Sequence, residues 1–419
     1  MAHRQTEGSL LLGALLLGWL AFVLSWLAAP VREPQALFYP VTISTAMLMV
    51  HGCLKAIRSV ADQLLLPLIT VPLFLSVAVL YRLERVRAFW QLIWILLGLL
   101  ILVCLQVVPN IKGLRLYWAS LMILGLGCLA ITIVLGVKEY GSKIWLQVGH
   151  IKFQPAELAK ILLALSLAGY LCTRKALLLA RSWQIGRLRL PHPLHFGPLL
   201  MAVAVTLVLM MVQRDLGTAL LLFGLFSCQL YVAAPRWDYL LLEFIVLVAG
   251  SAIGYRLFPH VRIRFDIWLS PWRYAYGQGY QLVQAILATS AGGLLGAGLG
   301  SGWPGLIPAV TTDLTFIAWT EEMGLAGAIA LILVYLLLTQ RGLKASLDST
   351  DDFLTLAGVG MISLFALQSL VIIAGALRLM PLTGLTLPLF NYGGSSVVAS
   401  MTGFGFILRL SAEEEPNES

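Results

Sequence analysis

The stretch IPAVTTDLTFIAWTEEMG, residues 307 to 324, places Asp313 between two threonines and an apolar run that closes on Glu321 and Glu322. An acid so placed is a solvated loop residue, a helix cap or a proton acceptor. Two further polar groups stand beside apolar runs, where ionisable side chains are costly and mark function until a structural role explains them. In GSKIWLQVGHIKFQPAELAK (141 to 160), Pro155 suits a first helical turn. Glu157 and Lys160, three residues apart, then share a face as an ion pair, or present Lys160 to a phosphate. In VQRDLGTAL (212 to 220), Asp215 is better read as an N-cap than as a reactive group. His150, His192, His195 and His260 are scattered and match no zinc-ligand spacing.

The elements that must hold these residues are membrane helices. The chain of 419 residues is 59% hydrophobic and 11% charged, a composition foreign to water-soluble domains. Runs such as 10 to 29 and 89 to 108 reach the roughly 20 residues a helix needs to cross a bilayer. Hydropathy predicts about twelve spans, near 9–29, 37–54, 63–81, 89–108, 117–137, 156–173, 197–213, 216–233, 239–257, 316–339, 354–377 and 394–410. The fold class is therefore an all-α polytopic membrane protein. The first run exceeds the core of a signal peptide and reads as a retained helix. The five cysteines lie in or at the ends of spans, and no disulfide is predicted. The net charge of +8 sits on no soluble basic domain, so membrane lipids and not nucleic acid are the expected partner.

The most basic connection, 173 to 195, is assigned to the cytoplasm. Both termini, including an acidic tail at 412–419, then lie inside. Loops carrying Arg82, Arg85, Arg87, Lys143, Lys152, Arg214, Arg262, Arg264 and Arg273 lie outside. Either one strong loop outvotes several weak ones, or an anionic substrate is held on the outer face. The connection from 258 to 315 is far longer than ordinary links, and long ordered loops are usually functional. Its apolar, glycine-broken part, from Tyr280 to Pro308, reads as re-entrant or interfacial chain lining a cavity.

Taken in order, WLQVGHIKFQPAELAK, QRDLGTALLL, WLSPWRYAYGQGYQLVQAILATSAGGLLGAGLGSG, IPAVTTDLTFIAWTEEMGLAG, Gln368 and LMPLTGLTLPLFNYGGSSVVASMTGFGFILRLS resemble the SEDS family (shape, elongation, division and sporulation) of peptidoglycan polymerases, which includes FtsW, RodA and SpoVE. The resemblance covers about 61 to 411. It implies a ten-helix core over 61–411, with 1–60 as two extra N-terminal helices. By the family's HTDF motif, Asp313 of TTDL takes the catalytic position. The departures are Thr311 for His, Leu314 for Phe, Asn391 for Ser before YGGSS, and Ile144 where many members carry Arg, with Lys143 beside it to supply that charge.

The implied reaction joins lipid II units with inversion at the donor sugar, for which one base suffices and no carboxylate nucleophile is needed. Diphosphate leaves readily, so cations to stabilise it matter more than an acid. Lys143, Lys152, Lys160, Arg262, Arg264 and Arg273 are candidates for that charge role. A divalent cation, Mg or Mn, is a candidate aid, and no cofactor is certain. Gln154, Glu157, Gln281, Thr312 and Ser395 are candidates for binding sugar or phosphate. The implied partners are lipid II and a class B penicillin-binding protein. A lipid flippase or transporter, a scaffold that only recruits a transpeptidase, and a lipid-linked sugar ligase of related fold are the alternatives.

Overall fold

The computed structural model describes residues 4–29, 32–57, 59–139, 142–149, 151–180, 182–185, 188–191 and 193–412. The acidic tail from 413, His150, Arg181, Arg187 and His192 lie outside the described residues. Among the described residues there are fourteen α-helices: α1 (Gln5–Ala28), α2 (Phe38–Ala56), α3 (Leu65–Leu83), α4 (Arg85–Val107), α5 (Trp118–Leu135), α6 (Pro155–Ala180), α7 (Pro193–Gln213), α8 (Leu216–Ala233), α9 (Trp237–Leu257), α10 (Pro259–Leu269), α11 (Tyr280–Gly292), α12 (Thr315–Leu347), α13 (Asp352–Ala376) and α14 (Gly394–Ser411). Among the described residues, ten helical segments are long and apolar enough to cross a membrane. The segments expected at 197–213 and 394–410 are also helical, as α7 and α14, but stand outside that set of ten.

The all-α class holds, and short strands accompany the helices: β1 (Val137–Glu139), β2 (Ser142–Val148) and β3 (Ile151–Phe153) form an antiparallel sheet, and β4 (Ser182–Ile185) and β5 (Leu188–Pro191) form an antiparallel pair. Chain outside the bilayer can satisfy its backbone with ladder bonds, and short strands leave little trace in hydropathy. The basic connection expected from 173 begins as helix, because α6 runs on to Ala180. Arg174 and Lys175 continue the helix because long basic side chains are good helix formers.

The chain divides into two compact units, the first comprising 1–107, 266–345 and 368–419 and the second 108–265 and 346–367. In the first, small residues let helices close on one another, as is usual where no hydrophobic effect drives association. Gly98 sits against Met401, Gly405 against Leu102 and Gly394 against the Trp94 ring, bringing α14 onto α4. Gln106 seals the contact by donating to the Gly405 carbonyl at 2.9 Å. The α1 helix packs on α3 through Gly18 and Phe74. Its buried Glu7 pairs with Arg4 and meets the His51 ring at Nδ1.

The helix α12 is not continuous. Gly324 has φ 65° and ψ −168°, a conformation costly to any residue with a Cβ. The chain from 293 to 298 joins the two sides of the break. Ala297 and Gly298 donate to the carbonyls of Glu321 and Glu322, at 3.0 Å each, and Leu325 and Ala326 donate to those of Gly293 and Leu294, at 3.0 and 3.1 Å. A Cβ on Gly296, which has φ +85°, would stand 2.1 Å from the Glu322 carbonyl oxygen. Backbone strain of this kind costs about 1–3 kcal/mol before any clash. Gly296→Ala is therefore expected to lower folded yield and melting temperature in detergent, whereas Gly305→Ala, with nothing within 4 Å, leaves both unchanged. Equal melting of the two variants would refute the junction.

In the second unit, α5 and α6 pack through Gly125 and Leu163, and Gln229 of α8 donates to the carbonyls of Ala164 and Leu356, both at 2.9 Å. Asp215 caps α8 as expected, accepting from the Thr218 amide at 2.9 Å and from its hydroxyl at 2.8 Å.

Candidate functional site

Asp313 lies in the first unit, half-buried, in the turn that leads into α12. Its own amide donates to the Ala309 carbonyl at 2.9 Å, and Ala309 is in the left-handed region at φ 51°. The two threonines before it are held by the segment from 391 to 393. The Tyr392 amide donates to the Thr311 carbonyl at 2.9 Å. The Asn391 side-chain amide donates to the Thr312 carbonyl at 2.6 Å. From inside α12, the Thr315 hydroxyl donates to the Thr311 carbonyl at 2.9 Å. Opposite the carboxylate, a Cβ on Gly384 would come within 3.8 Å of Asp313 Oδ2, and Gly384 has φ +74°. A small residue in a left-handed conformation therefore borders the acid.

Arg87, at the start of α4, is a cation in this neighbourhood that the sequence reading left among loop charges. Its guanidinium donates to the Thr311 hydroxyl, pairs with Glu84 at 2.9 Å and lies over the Tyr392 ring at 5.4 Å. The threonine that departs from the family motif is thus the one that accepts from Arg87.

The other acids on this stretch have different surroundings. Glu322 is buried and pairs with Arg82, and it accepts from the Gly300 amide at 3.1 Å. Glu321 is also buried and accepts from the Trp303 amide at 2.9 Å. Arg82 donates in turn to the Gly302 carbonyl at 3.0 Å. These groups fasten the glycine-rich chain to the end of the first piece of α12.

The remaining expected site residues divide between the units. In the first, Gln281 on α11 donates to the Pro308 carbonyl at 3.3 Å, Thr312 adjoins Asp313, Ser395 is buried in the first turn of α14, and Arg273 is exposed. In the second, Glu157 and Lys160 form the expected buried pair, with 2.8 Å between charged atoms. Gln154 lies just before α6. Lys152 pairs across the strands with Gln147, and Lys143 and Lys152 are both exposed. Arg262 turns toward the chain preceding its own helix, donating to the carbonyls of Tyr255 and Arg256. Arg264 and Arg214 act on His260 of α10, which burial first and these two charges next hold below its ordinary pKa.

Among the described residues, no three His, Cys, Asp or Glu side chains gather as a metal site. The described side chains do not form a protein cage for a divalent cation.

The sequence matches the cell cycle protein family of FtsW, RodA and SpoVE over residues 35–416. It is 33% identical over 372 residues to the peptidoglycan glycosyltransferase RodA of Mycobacterium leprae (strain TN), covering 86% of this chain and 80% of that one. It is 31% identical over 279 residues to the stage V sporulation protein E of Bacillus subtilis (strain 168), covering 66% of this chain and 73% of that one. Among solved structures, a chain from work on the structural coordination of polymerization and crosslinking by a peptidoglycan synthase complex superposes with a TM-score of 0.71 and 29% identity, over 85% of this chain and 99% of that one. The rod shape determining protein RodA of Thermus thermophilus gives 0.62 and 26%, over 85% and 98%. With its motif series, its membrane helices and these likenesses in agreement, the chain belongs to the FtsW, RodA and SpoVE family of cell cycle proteins.

Proposed function

We propose that this multi-pass membrane protein is a peptidoglycan glycosyltransferase that polymerises lipid II, with Asp313 as its general base. The observation that carries the assignment of the base is the fixed placement of Asp313. Its peptide neighbours are bonded to Tyr392, Asn391 and Thr315, while Glu321 and Glu322 are engaged in holding the broken helix.

In this reading the 4-hydroxyl of an acceptor GlcNAc attacks the anomeric carbon of the donor MurNAc. The hydroxyl proton passes to the Asp313 carboxylate. The bond from the anomeric carbon to the diphosphate oxygen breaks, and its electron pair leaves with undecaprenyl diphosphate. The centre inverts in one displacement, so one carboxylate is enough. Charge developing on the diphosphate is stabilised by cationic side chains. Arg273, in the same unit as Asp313, is the proposed cation, and the resemblance alone nominates Lys143, Lys152, Lys160 and Arg264 for the same charge role. Arg262 contributes less directly, since it is turned to backbone carbonyls. A divalent cation, Mg or Mn, would supply further positive charge for the leaving diphosphate.

The proposed setting is a bacterial plasma membrane, with both termini cytoplasmic and the 258–315 connection outside. The partner is a class B penicillin-binding protein that crosslinks the new strand. The purified protein is expected to convert purified lipid II into a ladder of glycan strands, and to do so faster with that partner. Failure to form strands with the partner present would sink the reading and favour the flippase or scaffold alternatives. For orientation, Ser270→Cys should react with an impermeant thiol reagent on intact cells and Thr350→Cys should not. The reverse pattern would invert the topology.

A further inference from the structure

Asp313 is placed by groups nearly eighty residues and more away in sequence, and these converge on one side chain of α4. Gln91 is fully buried. Its amide nitrogen donates to the Asn391 carbonyl and to the Ser76 hydroxyl, both at 3.1 Å. Its amide oxygen accepts from the Gly393 amide at 3.3 Å. Gln91 thus grips the backbone of the 391–393 turn on both sides of Tyr392. That turn in turn grips the two residues before Asp313, through the Tyr392 amide on the Thr311 carbonyl and the Asn391 side chain on the Thr312 carbonyl.

The Asn391 side chain is 1% exposed for the whole residue, and its Oδ1 has no hydrogen-bond partner. A buried acceptor left unpaired is costly. Asn at this position is therefore not there for burial alone. What it provides is the donor at 2.6 Å to the Thr312 carbonyl, the peptide group directly before Asp313.

We propose that Gln91 and Asn391 are positioning residues for Asp313, forming a relay from α4 through the 391–393 turn to the peptide that carries the base. The proposal rests on Asp313 being the base. Gln91 also links Ser76 of α3 to the turn, so two packed helices and not the loop itself set where the carboxylate stands. A base must sit within hydrogen-bond reach of the proton it takes, and misplacement by about 1 Å can cost about a hundredfold in rate.

The test uses two variants of the full chain with its penicillin-binding-protein partner. Asn391→Asp keeps the side chain's size but removes the donor. Gln91→Met keeps length and apolar burial but removes both amide functions, and reads the relay from its other end should Asn391→Asp yield too little folded protein. Strand formation from lipid II is measured per folded molecule over a range of lipid II concentrations. Each change is expected to lower kcat about tenfold to a hundredfold, with KM within about twofold of the parent. A purely structural role would lower yield and melting temperature while leaving kcat per folded molecule intact, and that result overturns the proposal. So does a rise in KM alone.

A cycle with Asp313→Asn separates the two readings, because groups acting as a unit are non-additive. If the base acts through this relay, Asn391→Asp removes almost nothing more from the residual rate of Asp313→Asn in long incubations. A further loss equal to that seen in the parent rejects the relay and leaves the base assignment standing. Parental rates from Asp313→Asn alone reject the base assignment, and the relay with it.

Discussion

Asp313→Asn is expected to lower the rate of glycan-strand formation by about 10²–10⁴-fold, the contribution of a positioned general base, while lipid II affinity is retained. Asn matches Asp in size and keeps a hydrogen-bonding oxygen, so the turn held by Tyr392 and Asn391 should persist. Only the capacity to accept the proton goes. The comparison is Glu322→Gln, nine residues along. Glu322 is buried in an ion pair with Arg82, so its neutralisation breaks that pair and should reduce folded yield more than turnover. Both variants are to be purified with the same partner, matched for melting profile, and compared for strand length and for lipid II binding. Full strand synthesis by Asp313→Asn would end the assignment of the base. Weakened binding with normal turnover at saturation would make Asp313 a binding group instead.

The second large effect is on folding. Glu157 and Lys160 are a buried pair on the first turns of α6. Removing one partner of such a pair costs about 3–5 kcal/mol, because the other charge is left buried without compensation. Glu157→Gln should therefore sharply reduce the detergent-extracted folded yield. Glu157→Gln combined with Lys160→Met, which removes both charges and keeps the apolar stem, should recover much of it. Activity of the double variant is expected to stay low, since Lys160 is proposed to meet phosphate. Equal yields from the single and double variants would refute the energetic coupling of the pair.

These two sites differ in how far the sequence discloses them. The Glu157 and Lys160 pair is local: a three-residue spacing after a proline is enough to put both on one face, and the structure has them 2.8 Å apart. The Asp215 cap is local in the same sense. Asp313 stands out by its setting and by motif. Its supports do not, because Gln91 and Asn391 meet across some three hundred residues, and neither position has a pattern that announces its partner. Arg87 was visible as one basic residue among several near a span end, and only packing brings it to Thr311.

Hydropathy located the helices well and their interruptions poorly. The twelve expected spans all fall on helices. The break at Gly324 leaves no trace in hydropathy because a lone glycine in an apolar run scores much like its neighbours, and the strands within 137–153 and 182–191 leave none because they are too short to alter an averaged window. What makes Gly324 different is the glycine-rich chain that arrives from 293 to 298, a tertiary event.

The way that break is closed bears on competition between sugar and water. A helix severed within an apolar segment leaves amides and carbonyls that would ordinarily recruit solvent to satisfy them. Here the carbonyls of Glu321 and Glu322 and the amides of Leu325 and Ala326 are all taken by the backbone between 293 and 298. The interruption therefore imposes no hydration requirement at these four groups, although it lies at the far end of the short helical piece that begins beside Asp313. For a transferase, water is a rival nucleophile, and any held near the donor would divert it to hydrolysis. A severed helix sealed by its own backbone introduces a rigid bend without introducing that rival, so the expected signature of loosening it is a rise in hydrolysed donor relative to strand formed.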